Sequence, residues 1–329
     1  MGDNFGRIAK KLRISVTDRC NMRCVYCMPE NNTSWFEQNN ILSYEQIVRL
    51  ATIFAKFGVE KIKITGGEPT VRPKIEDLVK SLSNIDRIKS ISMTTNGLLL
   101  KDKAKQLKES GLESVNISLD TFNSERFKSI TGIENGLNKV LESIIAAKSV
   151  GLQVKVNTVI MRGWNDDEII HFAQFSRDTG VVVKFIEFMP LDGAGMWATN
   201  LVFSKKDMID TINSNFQQKL VPLFNDKSDP ARIYSFDDKM GHIGFIASIT
   251  EPFCQYCDRI RITSEGKLLT CLFEKKGYDL KNLLQDRKSE EEIGKYILEC
   301  IKKKPEGIIS LIKANSLKPT LNLMHTIGG

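Results

Sequence analysis

The chain has 329 residues, of which 41% are hydrophobic and 26% are charged, a balance typical of a globular protein large enough for two domains. No apolar run is long enough to span a bilayer, and no apolar stretch follows the basic start of the chain, so we expect a cytoplasmic protein that binds no membrane. The net charge of +7 suits a small polyanion, but the lysines are scattered and form no basic arm, so we expect no nucleic acid as a partner.

Strands and helices are predicted to alternate along the first two thirds of the chain. Residues 12–17 alternate between apolar and polar side chains, which predicts a first strand. Ser43 and Gln46 form a capping-box pattern that starts the first helix, and Gly58 ends it. Further strands are predicted at residues 59–65, 88–94, 113–119, 152–158 and 181–187, and three of the preceding helices are closed by Gly111, Gly151 and Gly180.

Six β/α units of this kind predict a parallel sheet covered by helices. Six units fit either an open sheet or an incomplete barrel, since a closed barrel needs eight. From about residue 220, turns and short strand-like pieces replace the regular alternation, and a charged helical stretch follows. We therefore predict a boundary near residue 225, between a β/α core of residues 1–225 and a smaller α+β domain of residues 226–329.

Polar residues recur where the predicted strands end. They are Thr17-Asp18, Gly66-Gly67-Glu68-Pro69, Thr94-Thr95-Asn96-Gly97, Ser118-Leu119-Asp120, Lys155 with Asn157, and Glu187 to Met189. Active sites of parallel β/α folds gather at this end of the sheet, so we expect the site there. Gly66 and Gly67 would let the backbone approach a ligand closely, although an ordinary βα turn explains them as well.

The chain has seven cysteines, which should not pair as disulfides in a reducing compartment. Six of them fall in two groups, which we call the first triplet (Cys20, Cys24 and Cys27) and the second triplet (Cys254, Cys257 and Cys271). Cys300 stands alone in a polar, helical-looking stretch and is most simply a spare thiol. The two groups predict two metal centres.

The first triplet suits a cubic iron–sulfur cluster, because three thiolates can hold three irons and leave the fourth open to bind a small molecule. The alternative is a structural zinc site with a distant fourth ligand, although none of the three histidines is near either triplet in sequence. The second triplet fits either a second cluster of this kind or a zinc ribbon that lacks one ligand.

Arg259 and Arg261 follow Cys257 and would point to the same side of an extended segment. Two guanidinium groups beside a metal centre suit a phosphate or a nucleotide. The alternative is a pair of exposed arginines with no ligand.

Two sets of these motifs resemble a known group of enzymes. The first triplet with Tyr26, followed by Gly66-Gly67-Glu68-Pro69, resembles the radical S-adenosylmethionine superfamily. The string from Ser15 to Asn21, the exit Cys27-Met28-Pro29, the second triplet with its two arginines and the terminal Gly328-Gly329 are similar to the GTP 3′,8-cyclase family within it. The likeness runs from about Leu12 to the last residue.

The resemblance implies an incomplete (βα)6 TIM-like barrel with a smaller C-terminal α+β domain that covers its open side. It implies two [4Fe-4S] clusters, with S-adenosylmethionine chelated at the open iron of the first. A 5′-deoxyadenosyl radical would then remove hydrogen from the ribose of GTP, and the sugar carbon would attack guanine C8. The product would be (8S)-3′,8-cyclo-7,8-dihydroguanosine 5′-triphosphate, at the first step of molybdenum cofactor biosynthesis.

The resemblance also carries residue roles to matching positions, with no side chain as the catalytic group. S-adenosylmethionine would be held by Tyr26, Gly67, Ser118 and Met189. GTP would be held by Arg13, Lys63, Thr94, Lys155, Arg259, Ile260 and Arg261, with guanine at the open iron of the second cluster. Lys63 and Lys184 stand where the family often has arginine, and the Gly-Gly tail is expected to reach into the site.

As partners, the resemblance implies an electron donor protein, product hand-over to cyclic pyranopterin monophosphate synthase, and a homodimer. Two other functions stay open at this point. One is a radical enzyme with an auxiliary cluster that acts on another substrate, such as a peptide. The other is a zinc-dependent nucleic-acid-binding module, which would cleave no S-adenosylmethionine.

Overall fold

The computed structural model describes residues 1–28, 35–191, 195–224, 226–274, 276–286, 288–314, 316–318 and 324–328. Its twelve strands are β1 Lys11–Ser15, β2 Lys61–Thr65, β3 Ser90–Thr95, β4 Ser114–Ser118, β5 Gln153–Ile160, β6 Val182–Glu187, β7 Leu220–Pro222, β8 Arg232–Phe236, β9 His242–Ile246, β10 Arg259–Ile262, β11 Lys267–Leu269 and β12 Tyr278–Asp279. Its α-helices are α1 Tyr44–Lys56, α2 Ile75–Ser83, α3 Leu100–Glu109, α4 Ser124–Thr131, α5 Gly136–Ser149, α6 Ile169–Thr179, α7 Lys205–Asn215, α8 Lys281–Gln285, α9 Glu290–Lys302, α10 Ile308–Lys313 and α11 Met324–Ile327.

All twelve strands form one sheet, in the order β12-β11-β10-β1-β2-β3-β4-β5-β6-β9-β8-β7. The six strands β1 to β6 pair in parallel in sequence order, which confirms the predicted six-unit incomplete barrel. Strands from the C-terminal third extend both edges of this barrel, with β10 parallel to β1 and β9 parallel to β6. The sheet stays open, since its order ends at β12 and β7.

Local sequence signals explain where these elements begin and end. The Ser43 hydroxyl accepts a hydrogen bond from the Gln46 N–H, and the Gln46 side chain accepts one from the Ser43 N–H, so the predicted capping box starts α1. Gly111, Gly151 and Gly180 have φ values of +103°, +79° and +68° and reverse the chain before β4, β5 and β6, a conformation that favours glycine.

Alternation along the strands separates the core from the interior of the barrel. On β5, Val154 and Val156 are buried in the core, whereas Lys155 and Asn157, which alternate with them, line the interior of the barrel. The helices α1 to α6 pack on the outer face, so the apolar side chains of each strand meet a helix and the polar ones meet the interior. This arrangement places the functional groups inside the barrel.

The open side of the barrel is bridged near the amino end of β1. The Lys11 ammonium lies 2.7 Å from a carboxylate oxygen of Asp229 in the segment before β8, and 3.2 Å from Asp258 before β10. The domain boundary near residue 225 stays a prediction, and residue 225 itself lies outside the described residues. None of the helices in the described part of the chain is both long and apolar enough to cross a membrane.

Candidate active site

A cavity of about 750 Å³ occupies the interior of the barrel and holds the polar ends of the strands. All six cysteines of the two triplets line it: Cys20, Cys24, Cys27, Cys254, Cys257 and Cys271. Its cationic lining consists of Lys11, Arg13, Lys61, Lys63, Lys155, Lys184, Arg259 and Arg261. The structure thus brings together the two cysteine triplets, which are more than 200 residues apart in the sequence.

The first triplet lies on a loop directly after β1. The Cys27 N–H donates to the Cys24 oxygen over 2.9 Å, which turns the chain so that the thiols face the cavity. N–H groups also point at sulfur, because the Met22 N–H and the Asn96 amide lie 3.4 Å and 3.7 Å from Cys20 Sγ. Such donors are typical of sulfur atoms that bind iron–sulfur clusters.

Burial keeps these thiols protonated until a metal displaces the proton. Burial raises the pKa of the Cys20 thiol to about 11 and that of Cys27 to about 12, and it raises the pKa of Cys24 well above the usual value. Iron binding must therefore release protons at neutral pH.

The Gly66-Gly67-Glu68-Pro69 turn after β2 packs against the backbone that leads into the first triplet. A Cβ atom at Gly67 would lie 2.5 Å from the Asp18 oxygen and 2.4 Å from the Arg19 oxygen, so only glycine fits there. Buried Glu68 accepts hydrogen bonds from the Thr95 hydroxyl and the Asn96 N–H, both over 2.7 Å. Glu68 therefore ties the ends of β2 and β3 together and orients Asn96 toward Cys20.

Tyr26 reaches across the cavity to the end of β4. Its hydroxyl donates to a carboxylate oxygen of Asp120 over 2.6 Å, and the Val159 N–H donates to the other oxygen over 2.8 Å. Burial raises the pKa of Asp120 to about 6, and these hydrogen bonds oppose that rise. The tyrosine ring is thereby held at one position on the cavity wall.

Arg13, Lys63, Lys155, Lys184, Arg259 and Arg261 form what we call the cationic wall of the cavity. The strand register brings its members together. Arg13 on β1 pairs with Lys63 on β2 and with Arg261 on β10, so three cations stand side by side. Burial, together with repulsion from Arg261 and Arg259, lowers the pKa of Arg13 to about 9. Burial and Lys155 lower the pKa of Lys184 to about 8, and the pKa of Lys63 is lowered well below its usual range by burial and Arg13. A bound polyanion would relieve this repulsion.

The second triplet lies around the amino end of β10, with Cys254 and Cys257 before that strand and Cys271 after β11. Arg259 lies 3.5 Å from Cys257 Sγ, and the ammonium of buried Lys304 lies 3.6 Å from the same sulfur. Burial acts to raise the pKa of the Cys257 thiol, but Arg259 and Lys304 outweigh it and lower that pKa to about 6. Cys257 is thus the thiol best prepared to act as a thiolate ligand.

Among the described residues, no group of three or more histidine, cysteine or carboxylate side chains is arranged to hold a single metal ion. A cubic iron–sulfur cluster needs a different arrangement, because each thiolate binds its own iron atom. The two triplets fit such clusters by their chemistry, since each offers three thiols on the cavity wall.

Most of the residues that were predicted to bind a ligand line the cavity. Its lining includes Tyr26, Gly67, Ser118, Met189, Arg13, Lys63, Thr94, Lys155, Arg259 and Arg261. Ile260 differs, because its side chain is buried in the hydrophobic core between the two arginines. Gly328 is buried against β1 and β2, whereas Gly329 lies outside the described residues.

Three buried residues of the site were not identified from the sequence. His325 on α11 lies in the cavity lining beside the Cys27 backbone, although 298 positions separate the two in sequence. Asp120 was noted only as a strand-end residue, and its position after β4 was the available signal. Lys304 follows two exposed lysines of the same type, so no sequence signal distinguishes it.

Two family models match the chain, the Radical SAM superfamily over residues 14–176 and Molybdenum Cofactor Synthesis C over residues 181–309. GTP 3′,8-cyclase from Thermodesulfovibrio yellowstonii is 43% identical, with 100% of each chain covered. GTP 3′,8-cyclase from Aquifex aeolicus is 40% identical over 89% of this chain and 91% of its own. Molybdenum cofactor biosynthesis protein 1 from Drosophila melanogaster is 41% identical over 88% of this chain, which spans 51% of that protein.

Solved structures share the architecture at low identity. SuiB from Streptococcus suis bound to the precursor peptide SuiA has a TM-score of 0.66 at 16% identity, covering 97% of this chain and 77% of that chain. SuiB bound to S-adenosylmethionine has a TM-score of 0.62 at 17% identity, covering 93% and 74%. These likenesses show the fold alone. The full-length identity to the cyclases shows more, and the chain belongs to the GTP 3′,8-cyclase family of the radical S-adenosylmethionine superfamily.

Proposed function

We propose that this chain cyclises GTP to (8S)-3′,8-cyclo-7,8-dihydroguanosine 5′-triphosphate, the first step of molybdenum cofactor biosynthesis. Relatives that match it over their whole length carry the name GTP 3′,8-cyclase, and its second half matches the Molybdenum Cofactor Synthesis C family. The observation that carries the proposal is the single cavity that both triplets and eight lysines and arginines line. Such a cavity suits a polyanionic substrate held between two metal centres.

The first triplet and the cavity wall beside it form the proposed S-adenosylmethionine site. When bound there, the cluster and S-adenosylmethionine would supply a 5′-deoxyadenosyl radical, so the hydrogen-abstracting chemistry belongs to the cofactor. Tyr26, fixed by Asp120, would bind S-adenosylmethionine together with Ser118, Gly67 and Met189, which line the same cavity. The protein's part is to hold this group facing the substrate and away from water.

The cationic wall forms the proposed triphosphate site. Arg13, Lys63, Lys155, Arg259 and Arg261 would donate charge-assisted hydrogen bonds to phosphate oxygens, with Thr94 and the Ile260 main chain nearby. We add Lys184 to this group, because β6 places it in the same lining and its register partner Asn157 lines the cavity too. Lysine keeps the charge of the arginine common at this position and loses the two-pronged geometry.

We also propose that the second triplet holds a second [4Fe-4S] cluster whose open iron binds guanine. Burial raises the pKa of the Cys254 thiol, and the N–H groups of Ile308 and Ile309 oppose that rise. At Cys257 the charges of Arg259 and Lys304 outweigh burial and lower the pKa, which favours a thiolate ligand there. Anaerobic iron and sulfide analysis tests this directly: roughly eight iron atoms per chain are expected, and Cys271→Ala should retain about four. Eight irons in that variant, or stoichiometric zinc in the parent, would contradict the second cluster.

We infer the electron donor from the proposed reaction, and the synthase and the homodimer from the family resemblance alone. Because radical formation consumes an electron, an electron donor protein would supply it, and both proteins would lie in the cytoplasm. The cyclised nucleotide would pass to cyclic pyranopterin monophosphate synthase, and the working form would be a homodimer.

The proposed activity is tested by incubating the anaerobically reconstituted protein with a reductant, S-adenosylmethionine and GTP. We expect 5′-deoxyadenosine and a cyclised nucleotide in equal amounts, and neither when GTP is replaced by ATP. If 5′-deoxyadenosine forms while GTP is recovered unchanged, the substrate assignment is wrong and a substrate such as a peptide becomes the better candidate.

A further inference from the structure

Lys304 lies at the end of a run of three lysines, and only this one is buried. Lys302 ends α9 and Lys303 caps it, and both are exposed to solvent, whereas Lys304 is 4% exposed. A buried ammonium is costly unless strong acceptors surround it. Its acceptors therefore indicate what the residue does.

The acceptors of Lys304 all belong to the segment that carries the second triplet. Its Nζ donates to the main-chain oxygen of Cys257 over 2.9 Å and to that of Arg259 over 2.8 Å, and it lies 3.6 Å from Cys257 Sγ. The charged and titratable groups that face it are the thiols of Cys257 and Cys271 and the guanidinium groups of Arg7 and Arg259. The ammonium is thus held by two main-chain oxygens, with the Cys257 sulfur beside it.

The backbone around Lys304 is held against the same cysteines. Buried Arg7 forms an ion pair with Asp3 and donates to the main-chain oxygens of Cys254 and Pro305, over 3.0 Å and 2.7 Å. A Cβ atom at Gly307 would lie 2.7 Å from Cys254 Sγ, so this turn contacts the thiol closely. The N-terminal residues and the turn after α9 therefore fix Lys304 beside the second triplet.

We propose that Lys304 is a positioning residue for the second iron–sulfur cluster, which holds the main chain around Cys257 and places a buried positive charge beside that ligand. The inference rests on the proposed second cluster. A fixed cation next to the cluster stabilises the added electron, so it raises the reduction potential of this cluster. The first cluster, whose ligands follow β1, should be unaffected.

The test uses the full-length chain with Cys20, Cys24 and Cys27 changed to alanine, so that any cluster signal comes from the second triplet. In this parent, Lys304→Gln removes the charge and keeps hydrogen-bond donors, and Lys303→Gln is the matched control at an exposed position. Iron content and an EPR-monitored redox titration are measured for each. We expect Lys304→Gln to retain iron and to shift the reduction potential to a more negative value, while Lys303→Gln matches the parent.

Two further variants separate the two roles. Lys304→Arg keeps the charge and should hold the potential near that of the parent, whereas Lys304→Met should lose iron relative to Lys303→Met. Equal potentials in Lys304→Gln and its control, with iron present in both, would overturn the proposal. The same holds if Lys304→Arg shifts the potential as far as Lys304→Gln. A parent that binds no iron would instead overturn the second cluster itself, and this inference with it.

Discussion

The guanidinium of Arg261 donates a hydrogen bond of 2.7 Å to the main-chain oxygen of Gly328, 67 positions further along the chain. Both residues are buried, and Arg261 lines the cavity beside the second triplet. The end of the chain is therefore connected to the wall that we propose for the triphosphate. The contact therefore makes the orientation of Arg261, which we propose to bind the triphosphate, depend on the C-terminal tail.

The tail contact predicts that Gly328→Ala slows turnover more than it affects folding. A Cβ at Gly328 would lie 2.8 Å from Thr65 Cγ2, at a φ of +81°, so the tail must move and Arg261 loses its acceptor. Gly163→Ala is the control, because Gly163 has a φ of +74° and nothing within 4 Å. Each change should cost about 1 kcal/mol of backbone strain.

Melting temperature and turnover number separate the two effects. We expect similar melting temperatures for both variants, with turnover reduced by roughly a hundredfold only in Gly328→Ala. Deletion of Gly328 and Gly329 should reproduce the loss. Equal turnover in the two alanine variants would show that the tail contact has no part in the reaction.

Loss of one ligand of the first triplet predicts complete loss of S-adenosylmethionine cleavage. Cys24→Ala removes one of three thiols, so the cluster loses one of its protein-bound irons. Cys300→Ala is the matched control, because Cys300 is buried in α9 and lies outside the cavity lining. It should keep cleavage while losing on the order of 1 kcal/mol of stability. Cleavage by Cys24→Ala at the rate of the control would refute the assignment of the first triplet.

The cationic wall predicts that Arg261→Ala binds GTP more weakly while its iron content stays unchanged. One charge-assisted hydrogen bond contributes about 1.5–3 kcal/mol, so the dissociation constant should rise roughly tenfold to a hundredfold. Arg162→Ala is the control, because exposed Arg162 pairs with Asp207 away from the cavity. Calorimetric titration with GTP measures both variants. Identical affinities would remove the nucleotide role from Arg261.

The lowered pKa of Lys184 predicts that GTP affinity depends on pH. Burial and Lys155 lower this pKa to about 8, so the ammonium carries its charge below that pH and loses it above. The protonated form is the one that attracts phosphate, so affinity should fall as the pH rises from about 7 to about 9. Lys184→Arg keeps its charge over this range and should show a smaller fall. A fall of the same size in both proteins would mean that another group titrates.

The sequence predicted most of the barrel because its signals are local. Three such signals depend only on neighbouring residues: the capping box at Ser43, the three helix-ending glycines, and the alternation of strands and helices from β1 to β6. All three appear in the structure. The positions of β9 and β10 on opposite edges were not predicted, because strand pairing over such separations is decided by packing and not by local pattern.

The sequence predicted those site residues whose spacing is typical of a metal centre or an anion-binding site. The six cysteines and the Arg259–Arg261 pair show their grouping in the sequence, and all of them line one cavity. His325 and Lys304 show no such spacing, because only the packed chain ends bring them to the cysteines. Ile260 received a ligand role from the family resemblance, yet strand alternation directs its side chain into the core.

We propose that a radical formed at the first triplet removes hydrogen from the ribose of GTP bound in the same cavity. The most direct measurement supplies the reconstituted protein with GTP that carries deuterium at ribose C3′ and analyses the products by mass spectrometry. We expect one deuterium to appear in 5′-deoxyadenosine and to be missing from the cyclised nucleotide. Unlabelled 5′-deoxyadenosine formed together with a cyclised nucleotide that retains the deuterium would contradict it.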